Sequence, residues 1–178
     1  IHGACPMEML HHILLGIFKY IRDCFFSQIG WDSSPAEEIN ALAKLYGSQF
    51  ARQSERDMPK ANFANGIKKG KLMAKEYPGV LLIIAAILRS DHGRNVLSSS
   101  RKGNFKHVWQ IKDWSLLVET YLEWESFLKS DRMQSSDVAR LEKKHRYLMF
   151  MLKRIGNRTE GMGMKLVKFH GITHMAED

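Results

Sequence analysis

Cysteine is scarce in this sequence. Cys5 and Cys24 stand nineteen positions apart, and no Cys-x-x-Cys pair occurs. That excludes a disulfide framework or a thiolate zinc cluster as the organiser of the fold, and reduced intracellular thiols are the simple reading. Long apolar runs are also missing. The longest, Val80 to Leu88, falls well short of the roughly 20 residues a bilayer span needs, so no membrane partner is expected. No signal or transit peptide is visible. Nor is there an internal repeat, or an apolar–polar alternation strong enough to demand a sheet. Zinc-finger, Gly-rich phosphate-loop and nucleophile-elbow motifs are absent.

What is present is helical period and positive charge. The chain has 178 residues, of which 44% are apolar and 26% charged, enough to build a core and too apolar for a disordered tail. It reads as one helical domain over 1–178, mainly α, a helical bundle. It opens on Ile1 and stops at Asp178 after an amphipathic run, so an excerpt from a longer chain is expected. Lys and Arg number 27 against 19 Asp and Glu, a net charge of +8. Such an excess favours polyanionic partners, nucleic acid first, without bearing on the fold.

The spacing predicts a first helix from Pro6 to about Gln28, with Leu10, Leu14, Ile17, Ile21 and Cys24 inward and Lys19 and Asp23 outward. A turn at Trp31 to Pro35 supplies a Ser cap for a second helix reaching about Arg52 on Ile39, Leu42, Leu45, Tyr46 and Phe50. Residues 53–75 form a basic loop with lysines at 60, 68, 69, 71 and 75. Pro78 starts a buried helix through Leu88, although its β-branched content also suits a strand. Residues 91–104, with Gly93, Gly103 and Ser98 to Ser100, read as a flexible linker. Asp113 to Leu128 buries Trp114, Leu117, Tyr121 and Trp124, with Glu119, Glu123 and Glu125 as its wet face. A last long helix follows Ser135 and Ser136 to Ile155 on Val138, Leu141, Leu148 and Leu152.

Three constellations carry possible chemistry. Glu8 and His11 lie three apart and share a helix face, where they can hydrogen-bond, orient a catalytic carboxylate or meet a phosphate; a surface pair at a helix start is the plainer reading. His170 and His174, four apart, have zinc-chelating spacing, but no other dense ligand group lies nearby, and a satisfied histidine pair serves as well. Between Lys129 and Arg158 nine Lys or Arg face three acids. With Lys68, Lys69 and Lys71, the cations Arg140, Lys143, Lys144, Arg146, Lys153 and Arg154 are candidates for DNA phosphates, against the alternative of a solvated helix face.

The two ends together resemble a family. Ile1-His2-Gly3-Ala4-Cys5-Pro6-Met7-Glu8-Met9-Leu10-His11, then Leu15-Gly16-Ile17-Phe18-Lys19, is similar to a segment of eukaryotic cut-and-paste DNA transposases of the CACTA, Plavaka and Kyakuja–Dileera–Zisupton group. Lys168-Phe169-His170-Gly171-Ile172-Thr173-His174, then Glu177-Asp178, resembles the Lys-x-His-x-x-x-His region of that group. Gly70 with Lys75-Glu76-Tyr77 resembles a Gly-x-Glu-like stretch between them. Glu8 and His11 then match the first and last positions of a (Cys/Asp)-x-x-His element, with Glu a departure from the family's Asp or Cys. His170 and His174 match its paired histidines.

The resemblance implies an RNase H-like core interrupted by a helical insertion domain, of which this chain is mostly the insertion. It implies Mg²⁺-dependent DNA strand transfer by the parent protein. Two metals there stabilise the attacking and leaving oxygens, and the three catalytic acids are expected outside residues 1–178. It further implies transposon-end DNA as partner, a possible homo-oligomer and a nuclear location. The piece alone is expected to be inactive, with Glu8 and His11 in supporting roles. A non-catalytic helical module binding nucleic acid or protein is the alternative.

Overall fold

The computed structural model describes residues 15–50, 63–68, 72–99, 105, 108–128 and 134–155. Those residues form six α-helices and no strand: α1 (Lys19–Ile29), α2 (Ser34–Phe50), α3 (Tyr77–Arg89), α4 (Asp91–Ser99), α5 (Val108–Leu128) and α6 (Ser135–Ile155). A π-helical turn over 15–18 leads into α1, and a 3-10 turn, Ala74–Glu76, into α3. α3 packs against α2, α4 and α5, and α5 also packs along α6.

The core is aromatic where α1 meets α5. Phe25 meets Phe26, Phe105 and Trp114 edge-on at centroid distances of 5.6, 5.6 and 5.4 Å. Phe18 and Trp124 flank Tyr121 in the same way, at 6.1 and 5.9 Å. Edge-to-face pairs add about 0.5–1.5 kcal/mol each to the gain from burial itself. Val80, Leu81, Ile83, Ile84, Ile87 and Leu88 of α3 are buried. Pro78 lies in the first turn of α3, where its missing N–H costs no hydrogen bond. The β-branched run is therefore helix, because neighbouring elements cover it on several sides.

Local chemistry sets the boundaries. Ser33 caps α2: its Oγ accepts the Ala36 N–H at 3.2 Å, and Pro35 follows inside the helix. Ser90 caps α4 in the same manner, accepting the Gly93 N–H at 3.0 Å. This corrects the expected linker over 91–104, since residues 91–99 are helical. Gly93 is buried there, and a Cβ on it would overlap the Ile87 carbonyl. Its role is close approach of α4 to α3, not flexibility.

Four further expectations change. Asp23, placed on the wet side of α1, is buried and takes the Arg22 Nε–H at 2.8 Å and Lys19 Nζ at 3.0 Å. Leu45 is exposed. Glu125 is buried rather than wet, since its side of α5 turns toward the bundle. Within the basic stretch 53–75, Phe63, Ile67 and Lys68 are buried, and Asn40 Oδ1 accepts the Ile67 and Lys68 N–H groups at 2.9 Å each. Gly66 sits at φ +78°, and a Cβ there would overlap the Asn40 amide.

Candidate nucleic-acid interface

α6 carries six Lys or Arg against two acids. Whether those cations can meet a ligand depends on how the helix is seated. Leu141, Leu148, Met151, Leu152 and Ile155 form its buried stripe against α5. His145 is buried on the same side, 6.0 Å from the Trp124 ring. Burial holds its imidazole below the ordinary histidine value, because the charged form loses its hydration there. Among the described residues Nε2 has no hydrogen-bond partner.

The far end of α6 is pinned by Gln28. Its Nε2 donates to the Ile155 carbonyl at 2.6 Å, and its Oε1 accepts the Trp114 indole N–H at 2.9 Å. One buried amide thereby joins α1, α5 and α6 with both ends satisfied, and it also answers a terminal carbonyl of α6. Two ion pairs tie the edge of the helix to acidic α5: Lys144 to Glu123, and Arg154 to Asp113 at 3.3 Å. The rotation of α6 is thus fixed by an apolar stripe, a buried amide and two lateral charges.

That rotation turns Arg140, Lys143, Arg146 and Lys153 to solvent, all of them exposed. None of the four makes an ion pair with a carboxylate among the described residues. By helix geometry these side chains, with Tyr147, Phe150 and Arg154, share an arc of roughly 140°, and Lys143 and Lys153 stand about 15 Å apart along the axis. Phe150 is 58% exposed and Tyr147 40%. Glu142 is the single exposed acid of α6.

The candidate cations therefore separate. Arg140, Lys143, Arg146 and Lys153 stand open on one face. Lys144 borders it and Arg154 stands on it, each with its charge partly answered by α5. Lys68 does not belong: its ammonium is buried and paired with Glu37 near the start of α2. This corrects its assignment as a phosphate ligand, because a buried, paired lysine is not available to an outside anion. Lys69, Lys71, Glu8, His11, His170 and His174 lie outside the described residues. Among the described residues no group of three or more His, Cys, Asp or Glu side chains is placed to hold a metal, and no helix is long and apolar enough to cross a membrane.

Tyr147 and Phe150 are not among the candidates drawn from the sequence. The signal was available in the helical period: Phe150 lies roughly 200° around the helix from Leu148, far from the predicted inward stripe.

No family model, curated protein or solved structure matches this chain.

Proposed function

We propose that this chain is the helical insertion region of a DDE-type DNA transposase, inserted in an RNase H-like core and holding DNA phosphates along α6. The observation that carries the phosphate-binding part is the open cation row Arg140, Lys143, Arg146 and Lys153, held outward by a buried stripe and facing a single exposed acid of its own helix. Polyanion binding by such a row releases counterions, so affinity falls steeply with salt. The ancestry rests on the terminal motifs, which supply Glu8 and His11 beside the catalytic cleft and the paired His170 and His174. In this reading Mg²⁺, the three acids that hold it, transposon ends, self-assembly and nuclear location belong to the parent protein.

The test has two arms. Lys143→Glu/Arg146→Glu/Lys153→Glu is expected to weaken duplex DNA binding at least tenfold. It should also flatten the plot of log affinity against log salt by roughly 0.9 for each phosphate no longer neutralised. Unchanged affinity and slope would make the row a solvated face. For the ancestry, the longer reading frame should show a strand ending in Asp upstream and a Glu-bearing helix soon after Asp178. If both are missing while DNA binding persists, the chain is a non-catalytic nucleic-acid-binding module, which the same cation row supports without the motifs.

A further inference from the structure

We infer that the exposed face of α6 takes unpaired nucleotides of a single strand, with Phe150 as the ring on which a base stacks. This rests on the reading that the α6 cations meet nucleic-acid phosphates, and it names the form of nucleic acid they meet.

Among the described residues, Phe150 takes no part in seating α6. The helix is already seated by Leu141, Leu148, Leu152 and Ile155, all buried, while Phe150 is 58% exposed on the opposite side. Leaving most of a phenyl ring in water forgoes part of the gain that burial would supply. Its helical neighbours are Arg146 four positions before, and Lys153 and Arg154 three and four positions after; Lys143 lies two turns before on the same face. Lys143, Arg146 and Lys153 are open to hold a phosphate while the ring meets what lies between phosphates, and Arg154 is shared with Asp113.

In a duplex the flat faces of the bases are covered by stacking, and a ring projecting among phosphates meets only sugars and edges. In an unpaired strand the base faces are open. An aromatic ring flanked by cations is the arrangement that binds such strands without reading sequence. Tyr147, 40% exposed beside the same cations, extends the platform along the helix. A second copy of this face is a poor occupant, because it would bring two cation rows together. A complementary polyanion removes that repulsion.

The experiment uses residues 1–178 and fluorescence anisotropy with three labelled probes of equal length: oligothymidylate, a strand of abasic sites, and a duplex. The unaltered chain is expected to bind oligothymidylate more tightly than the abasic strand. Phe150→Ala should weaken oligothymidylate binding roughly 5- to 100-fold, the range expected when one stacked base is given up. It should leave the abasic strand and the duplex within about twofold, and Phe150→Trp should retain binding. Lys143→Glu/Arg146→Glu should weaken all three probes.

If charge reversal weakens every probe and Phe150→Ala none, stacking is overturned and phosphate binding stands. If charge reversal changes nothing, the phosphate reading falls and the inference falls with it. Equal weakening of all three probes in Phe150→Ala overturns the stacking role, with circular dichroism reporting whether the helices are kept. A dimer that Phe150→Ala converts to monomer overturns it in favour of self-association.

Discussion

Lys68 and Lys143 come from two segments that look alike in composition, and the fold sends them to opposite environments. Both lie in lysine-rich stretches, and both are candidates for the same phosphate-binding role. Lys68 follows a loop that Asn40 pulls onto α2 through two backbone hydrogen bonds, so its ammonium ends up buried against Glu37. Lys143 stands on the outer side of a helix whose inner side is anchored elsewhere, and stays exposed. Local charge density was equal evidence for both. Only the anchoring of the backbone separated a structural lysine from a ligand-facing one.

The sharpest way to break that contrast is to release the loop. Asn40→Ala leaves two buried N–H groups without their acceptor, and is expected to lower unfolding stability by roughly 2–4 kcal/mol. Urea denaturation measures it. A decrease below about 0.5 kcal/mol would mean that residues 63–68 are not held by this amide. Charge reversal on the other side, at Lys143 and Arg146, should move stability by no more than about 0.5 kcal/mol while affinity drops.

Next in size is the anchor of α6. Gln28→Ala removes an acceptor from the Trp114 indole and a donor from the Ile155 carbonyl, with an expected cost of about 1–3 kcal/mol. Because it also loosens the end of α6 nearest Lys153 and Arg154, hydrogen exchange there should rise more than in α2. Uniform exchange across both helices would contradict the pinning.

His145 adds a pH dependence. Its folded-state imidazole lies below the ordinary value of 6.5, held neutral by burial. Under acid the unfolded chain takes that proton more readily, so stability is present above the unfolded value and is lost as pH falls below about 6.5. The slope approaches at most about 1.4 kcal/mol per pH unit from this one group. His145→Leu should flatten the stability profile between pH 7 and 5; an unchanged slope would assign the acid sensitivity to other groups.

The smallest effect concerns the border of the α6 face. Glu123→Gln removes the partner of Lys144 at a cost of about 0–1 kcal/mol, since Glu123 is mostly exposed. Freed from its pair, Lys144 joins the open row, and DNA affinity should rise about two- to threefold at low salt, an effect that 0.5 M salt removes. No gain at low salt would show that Lys144 is out of reach of phosphate.

The legibility of the fold follows the kind of information each element uses. The inward positions of α5, Trp114, Leu117, Tyr121 and Trp124, were readable because a 3.6-residue period marks a buried stripe directly. The Ser33 cap was readable because a serine before a proline-led helix states its own chemistry. α4 was not. Its Gly93 and serines have the composition of a linker, and their meaning depends on how close α3 passes. Asp23 and Glu125 were misplaced for a related reason: a helix packed on more than one side buries polar positions that a one-sided period assigns to water. In the candidate interface the cations of α6 could be named from sequence, but not which of them remain open. The outward placement of Phe150 follows from the same period, since it lies opposite the inward stripe.

The sequence by itself determined that the chain is helical, that it has an aromatic core, and that positive charge gathers on its last described helix. Periodicity, capping chemistry and composition are local properties, and they need no neighbour to be read. The tertiary structure alone decided how closely α4 sits on α3, that Lys68 is sealed beneath α2, and how Gln28 pins the end of α6. Each of those outcomes depends on packing between elements and not on period within one: Gly93 against Ile87 of α3, Asn40 across to residues 67 and 68, and Gln28 to Trp114 and Ile155. Burial is set by what packs on a residue, and that partner is not written beside it.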